Sequence, residues 1–381
     1  MKKTIVLAPD SFKESMTAKE VCEAMERGIQ KVWKDAEVLH VPMADGGEGT
    51  VDALVDATHG KRIPVQVTGP MLGTTVSTYF GMLGDGRTAV IEMAKANGID
   101  LLPKSLRNPM KTSTYGTGEM IKAALDHGAE KIIIGIGGSV TNDGGSGMAN
   151  ALGVNFLDIS GQSIEPCGGS LDRLHKIDIS GIDPRLSTID VLIASDVTNP
   201  LTGEEGASRV FGPQKGATAE MVDILDKNLK RYAKVINDEF DVDVDQVPGA
   251  GAAGGLGAGL LAFTNSQLRS GIDIVIDVTG LEEYIKKADY VFTGEGGMDF
   301  QTKFGKAPYG VSKLAQKYGK PVFACAGHIG ENVDVLYDEG MTAIFGILSR
   351  NGSLEDILAD GKANIERTTE NIIRVLSLTQ Q

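Results

Sequence analysis

Apolar positions along the chain keep two rhythms. Short apolar runs bounded by turn residues read as strands, and runs with apolar residues three and four apart read as helices. Residues 4–8 (TIVLA) form such a run and stop at Pro9, Asp10 and Ser11, which predicts a strand ending in a turn. A helical spacing then takes in Val21, Ala24, Met25, Gly28, Ile29, Val32 and Trp33. Thr17, with Glu20 three residues on, reads as a capping box at its start. Residues 37–42 are a second strand. Strand, helix, strand in this order is a parallel crossover unit. The C-terminal part repeats the alternation, with strands at 289–293, 321–326 and 342–348 and helices at 308–318, 333–340 and 354–376. The two ends together predict one doubly wound parallel sheet.

The middle of the chain has a different rhythm. Residues 66–68, 76–83 and 89–94 are short strands around glycine turns, the pattern of an antiparallel or mixed sheet. A helix at 113–127, strands at 131–136 and 191–195, and a strongly periodic helix at 219–239 follow. The expected organisation is α/β with two domains. Residues 1–61 and 286–381 make a discontinuous domain, and residues 62–285 form an inserted α/β domain with a mixed sheet. A length of 381 residues suits two domains.

Composition changes the picture in three places. The 49 glycines exceed the usual share of about 7% and gather at 46–47, 135–147, 249–259 and 294–297, so several loops let backbone approach a ligand. A formal charge of −14 argues against nucleic acid or an anionic membrane as partner. Cys22, Cys167 and Cys325 are odd in number and lack a CxxC, which supports neither a disulfide framework nor a zinc site. With no apolar run of about 18 residues and no signal-peptide pattern, a cytoplasmic location is expected.

Phosphate-loop signatures are few. No Gly-Lys pair is followed by Ser or Thr, so the Walker pattern is absent. A GxGxxG occurs at 249–254, but no strand runs directly into it, which disfavours a dinucleotide site. The telling places are strand ends, where open α/β sheets bind ligands. After the first strand come Asp10, Ser11, Phe12 and Lys13. After the second come Asp45, Gly46, Gly47 and Glu48. After the strand at 131–136 come Gly137, Gly138, Ser139, Thr141, Asn142 and Asp143, the best phosphate cradle in the chain, with Asn142 and Asp143 candidates for Mg²⁺. Asp196 follows another strand, with Arg209 and Lys215 downstream as clamps for transferring charge. Gly294, Glu295 and Asp299 lie near Lys303 and Lys306. The same chemistry of glycine, acid and hydroxyl in both predicted domains suits a nucleotide and Mg²⁺ in a cleft between them.

The stretches APDSFKES (8–15), PMADGGEGT (42–50), TSTYGTGE (112–119), IGIGGSVTNDGGSG (134–147), SDVTNPL (195–201), GASRVFGPQKGA (206–217), GAAGGLGAGL (251–260), FTGEG (292–296) and DFQT (299–302) resemble the bacterial glycerate kinase family, in its glycerate 2-kinase branch. The resemblance runs from Ala8 to about Gly330. It implies two α/β domains, one of them flavodoxin-like and discontinuous. It also implies the reaction of ATP with glycerate to give ADP and phosphoglycerate, with the 2-phosphate as the expected product. The family usually carries Arg or Lys after GEG, where this chain has Gly297, and Lys303 or Lys306 stands nearby to compensate.

The expected mechanism is in-line transfer from Mg·ATP, in which protein groups mainly position and neutralise charge. Gly137, Gly138, Ser139, Thr141 and Asn142, with Gly294 and Glu295, are expected on the nucleotide. Asp45, Gly46, Gly47, Arg209 and Lys215 are expected on the substrate, and Asp143 or Asp45 on Mg²⁺. Asp196 is the candidate base, with Lys13 and Lys306 as catalytic cations. The expected partners are ATP and D-glycerate, and the sequence leaves a homo-oligomer open. Two rival readings are an NAD-dependent dehydrogenase acting through 249–254 and a sugar-acid-binding regulator that turns nothing over.

Overall fold

The computed structural model describes residues 2–378. Its strands are β1 (Thr4–Leu7), β2 (Glu37–His40), β3 (Lys61–Thr68), β4 (Thr75–Met82), β5 (Thr88–Glu92), β6 (Lys131–Gly135) and β7 (Asn155–Leu157). They continue with β8 (Lys176–Asp178), β9 (Asp190–Ala194), β10 (Ser266–Arg269), β11 (Tyr290–Met298), β12 (Val322–Ile329) and β13 (Ala343–Gly346). The chain forms two compact units. The first holds the N-terminal residues to Asp45, Asp52–His59, and the chain from Ser270 on. The second holds Gly46–Val51 and Gly60–Arg269.

The first unit is built on a parallel sheet of order β13-β12-β11-β1-β2. Ile5, Leu7, Phe292 and Phe323 pack into one core with Met25 and Ile29 of the helix Ala18–Gln30 and Ile365, Ile372 and Ile373 of the helix Gly361–Leu378. Val6, Val291 and Ala324 are buried outside that core, so the sheet is covered on both faces, as parallel sheets are. Gly28 lets the two helices meet, because a Cβ there would lie 2.4 Å from the Glu366 carbonyl oxygen. The capping box forms as the sequence predicts: Thr17 accepts from the Glu20 N–H while Glu20 accepts from the Thr17 N–H. Two features differ from expectation. The helices Gly271–Thr279 and Leu281–Lys287 belong to this unit and not to the insertion, because Ile272 fills the space above Gly310 and Leu281 and Ile285 are fully buried. The glycines at 294–297 are not a loop: β11 runs through them, with Gly297 paired to His328 and Met298 to Ile329.

The second unit carries a mixed sheet of order β10-β9-β6-β5-β4-β3. The β3–β4–β5 meander is antiparallel, and β5, β6, β9 and β10 run parallel. Ile91, Ile132, Ile134, Val191 and Ile193 form its core with Met120 and Ile121 of the helix Tyr115–Asp126 and with Leu256 and Leu260. The glycine run at 249–259 is a packing device. A Cβ at Gly251 would lie 2.1 Å from the Pro200 carbonyl oxygen, and one at Gly254 2.0 Å from that of Thr141. A buried segment pressed this closely on other backbone has no room for a pyrophosphate, which removes the physical basis of the dinucleotide reading. No described helix is long and apolar enough to cross a membrane.

Candidate active site

In the first unit, three neighbouring strands bring carboxylates to one end of the sheet. Asp10 follows β1, Asp45 follows β2, and Glu295 lies in the last part of β11. The Asp10 N–H donates to the Gly294 carbonyl, 2.8 Å, which fixes the turn, and its carboxylate accepts from the Ser11 N–H at 2.6 Å. Burial pushes the Asp10 carboxyl up to about 8, and the negative charges of Asp45 and Glu295 add to that rise. Glu295 is 7% exposed; it accepts from the Thr302 hydroxyl at 2.8 Å and from the Lys306 ammonium at 3.0 Å. Its carboxyl is also raised, by burial, against the pull of Lys306. Lys306 donates further to the Gly297 carbonyl, 3.3 Å, so one expected cation stands beside the position that lacks a basic side chain. A Cβ at Gly297 would meet nothing within 4 Å, which leaves that position open. Gly294 itself is a packing glycine, since its Cβ would meet the Cys325 carbonyl oxygen at 2.2 Å. The Lys13 side chain is exposed.

This donor set suits a hard divalent cation. Mg²⁺ is commonly held by one or two carboxylates, keeping waters and substrate phosphates for the rest. The charge of Asp45 helps to raise the Asp10 carboxyl, and a bound cation would relieve that repulsion. Among the described residues no group of three or more His, Cys, Asp or Glu side chains is placed to hold a metal ion, so these carboxylates would supply at most two of its ligands.

In the second unit the loop after β6 divides into an exposed tip and a buried root. Gly137 and Gly138 are exposed, Gly138 at φ 73°, whereas Ser139, Thr141, Asn142 and Asp143 are buried. Asp143 accepts from the Thr114 N–H and hydroxyl, both 2.8 Å, and from the N–H groups of Gly145 and Gly147, both 3.1 Å. A buried carboxylate occupied by four donors is a scaffold, and the metal role expected for Asp143 does not suit it. Burial still raises its pKa, while those hydrogen bonds hold it down. Asn142 donates to the Ser208 hydroxyl at 2.9 Å. Lys215, 2% exposed, donates to the Ser139 hydroxyl and the Thr141 carbonyl, both 2.7 Å. Burial lowers its pKa to about 7, opposed by the charge of Asp143. Its ammonium therefore faces the loop's interior, not a substrate.

The 46–51 segment belongs to this unit. Gly135 admits the Gly46 carbonyl oxygen, which would stand 2.5 Å from a Cβ at 135, and the Gly47 Cα lies 3.9 Å from a Cβ placed on Gly137. The first turn of the helix Thr50–Thr58 already has its anion: the Val51 N–H donates to the buried Glu92 carboxylate at 2.7 Å. That end of the helix is thus not a vacant phosphate site. Asp196 is exposed just after β9. Arg209 turns to Asp223 at 3.3 Å and Glu204 at 3.5 Å, two exposed acids. Asp10 and Thr114 lie in the family-like stretches 8–15 and 112–119 with no role expected for either, and Glu92 lies outside them all. An acid directly after an apolar strand is the signal for Asp10, and its place in the stretch 112–119 is the only signal for Thr114.

The comparisons agree along the whole chain. Residues 5–377 match the Glycerate kinase family. The chain is 51% identical to a glycerate kinase of Haemophilus influenzae and 50% identical to the glycerate 2-kinase of Escherichia coli K12, with 98% of each chain covered in both pairs. It is similar in structure to a crystallised chain of Salmonella typhimurium LT2 described as a glycerate kinase 2, with a TM-score of 0.93, 50% identity and 100% of both chains covered. A match of this length and identity, on a fold of the expected class, makes the chain a member of the glycerate kinase family.

Proposed function

We propose that this chain is a cytoplasmic, ATP-dependent kinase that phosphorylates D-glycerate to 2-phosphoglycerate. The observation that carries the reading, beside family membership, is the gathering of Asp10, Asp45 and Glu295 with Lys306 at the carboxyl ends of neighbouring parallel strands. The glycerate 2-hydroxyl attacks the γ-phosphorus. Its oxygen–phosphorus bond forms as the bond to the β–γ bridging oxygen of ATP breaks, and its proton passes to Asp196, the exposed carboxylate after β9. The N–H groups of Gly137 and Gly138 hold nucleotide phosphate. Mg²⁺, where bound, would be held by Asp45 with Asp10 and would neutralise phosphate charge. Lys306, steadied by Glu295, offers its ammonium to the transferring phosphoryl group, and Lys13 offers a second cation. Asp143 acts as a positioning group under the phosphate loop.

The test couples ADP release from Mg·ATP and D-glycerate to enolase, which dehydrates 2-phosphoglycerate but not the 3-phosphate. The expected result is glycerate-dependent ADP with an immediate enolase signal. ADP without that signal moves the transfer to the 3-hydroxyl. No glycerate-dependent ADP from folded protein sinks the kinase reading and favours a binding protein.

A further inference from the structure

A buried ammonium is costly, and an apolar side chain of the same length normally fills such a volume more cheaply. Lys215 is nevertheless buried, and both of its hydrogen bonds go to one loop, to the Ser139 hydroxyl and the Thr141 carbonyl on either side of Val140. It comes from a different segment, the turn Pro213–Lys215. That turn is pinned in its own right. Gly216 takes φ 92°, and its backbone lies so close to Arg107 that a Cβ would stand 2.4 Å from the Arg107 carbonyl oxygen. The rest of the loop root is tied by neutral groups. Ile99 N–H donates to Gly138 at 2.8 Å, Val140 N–H to Asn97 at 3.1 Å, and the Thr112 hydroxyl to Val140 at 3.0 Å. Among the described residues, the Thr141 hydroxyl and Asn142 Oδ1 find no partner, so the root carries polar groups that its own bonds leave unmet. Lys215 adds the charged donor to this root, on the Ser139 hydroxyl and the Thr141 carbonyl.

We propose that Lys215 is the positioning residue of the phosphate loop: its buried ammonium clamps residues 139 and 141 from beneath and so sets the direction of the Gly137 and Gly138 N–H groups toward nucleotide phosphate. The proposal rests on the reading of that loop as the nucleotide-phosphate holder. It departs from the substrate-clamp role expected from sequence, because a side chain 2% exposed reaches no substrate. In a low-dielectric interior the charge also favours an anion on the exposed glycines above it.

The test uses the full chain with Lys215→Met, and with Ser139→Ala as a milder variant that removes one of the two bonds and keeps the lysine. KM for Mg·ATP, KM for D-glycerate and kcat are measured for each, alongside ADP binding by calorimetry and thermal unfolding. Losing hydrogen bonds to a charged group predicts a rise in KM for ATP and in the ADP dissociation constant of roughly ten- to a hundredfold for Lys215→Met. Ser139→Ala should rise by a smaller factor, and KM for glycerate should stay within about twofold in both. A merely structural role would lower unfolding temperature or active fraction and leave both KM values in place, which overturns the proposal. So would a rise confined to glycerate. Unchanged ATP parameters in both variants, with turnover intact, overturn the clamp and leave the kinase standing. Absence of ADP binding and of turnover in the unaltered protein overturns both.

Discussion

The two regions handle buried charge in opposite ways. In the first unit, like charges are brought together: the charges of Asp45 and Glu295 raise the Asp10 carboxyl, while Glu295 itself is met by the Lys306 ammonium. In the second, Asp143 and Lys215 lie in one buried polar cluster, each tied by short hydrogen bonds to backbone or hydroxyl. The second arrangement is closed, since its charges are met from within. The first is open in the sense that it keeps a net repulsion at Asp10, which shows in its raised carboxyl and which a bound cation would relieve. That contrast is the physical basis for the proposal that the carboxylate cluster does chemistry and the buried root sets geometry.

The largest effect tests the closed side. Asp143→Ala strips the partner from the Thr114 hydroxyl and three N–H groups, and the loss should reach roughly 3–5 kcal/mol in urea unfolding. A loss under about 1 kcal/mol would mean that the root is not held by this carboxylate. Next, Asp196→Asn should lower kcat about a hundredfold with little change in stability, the scale of one lost transition-state contact. Near-full kcat would remove Asp196 as the base. A smaller effect separates the regions directly. Asp45→Asn should raise the Mg²⁺ concentration for half-maximal activity about tenfold, and Asp143→Asn should leave it in place. If the second variant moves and the first does not, the open and closed assignments are reversed.

Much of the fold was legible because local signals agreed with tertiary ones. The strand at Thr4–Leu7, the Thr17 capping box and the alternation of strands and helices at both ends follow from apolar spacing alone. The failures share a cause. The glycines at 294–297 read as a loop, yet pairing with β12 makes them strand. Ser266–Arg269 is too short and polar to announce itself and becomes a strand by pairing with β9. In the site, the acids after β1 and β2 were visible as strand-end acids. The depth of Lys215 was not, because a lysine in Pro-Gln-Lys-Gly reads as a solvated turn. Thr141 and Asn142 looked like ligand donors for the same reason: sequence spacing says nothing about which way a loop is drawn, and here it is drawn inward.

The contrast also has a signature in pH. Asp10 has a folded pKa of about 8, above its unfolded value. The stability tied to it is full below about pH 4 and is lost as pH rises toward 8, because the unfolded chain gives up the proton first. Lys215 has a folded pKa of about 7, below its unfolded value. Below pH 7 its burial penalty is full, and between about 7 and 10 the folded form has shed the proton while the unfolded form keeps it, so stability rises with pH. Each group contributes at most about 1.4 kcal/mol per pH unit inside its window. Urea unfolding at pH 5, 6 and 7 should therefore show a downward slope in the unaltered protein that flattens in Asp10→Asn. At pH 7.5, 8.5 and 9.5 an upward component should be missing in Lys215→Met. Slopes of the same sign for the two groups would mean that one of them is paired, not desolvated. A flat difference for Asp10→Asn alone would mean that solvent reaches the carboxylate end of the sheet, and the repulsion that calls for a cation would then be too weak to do so.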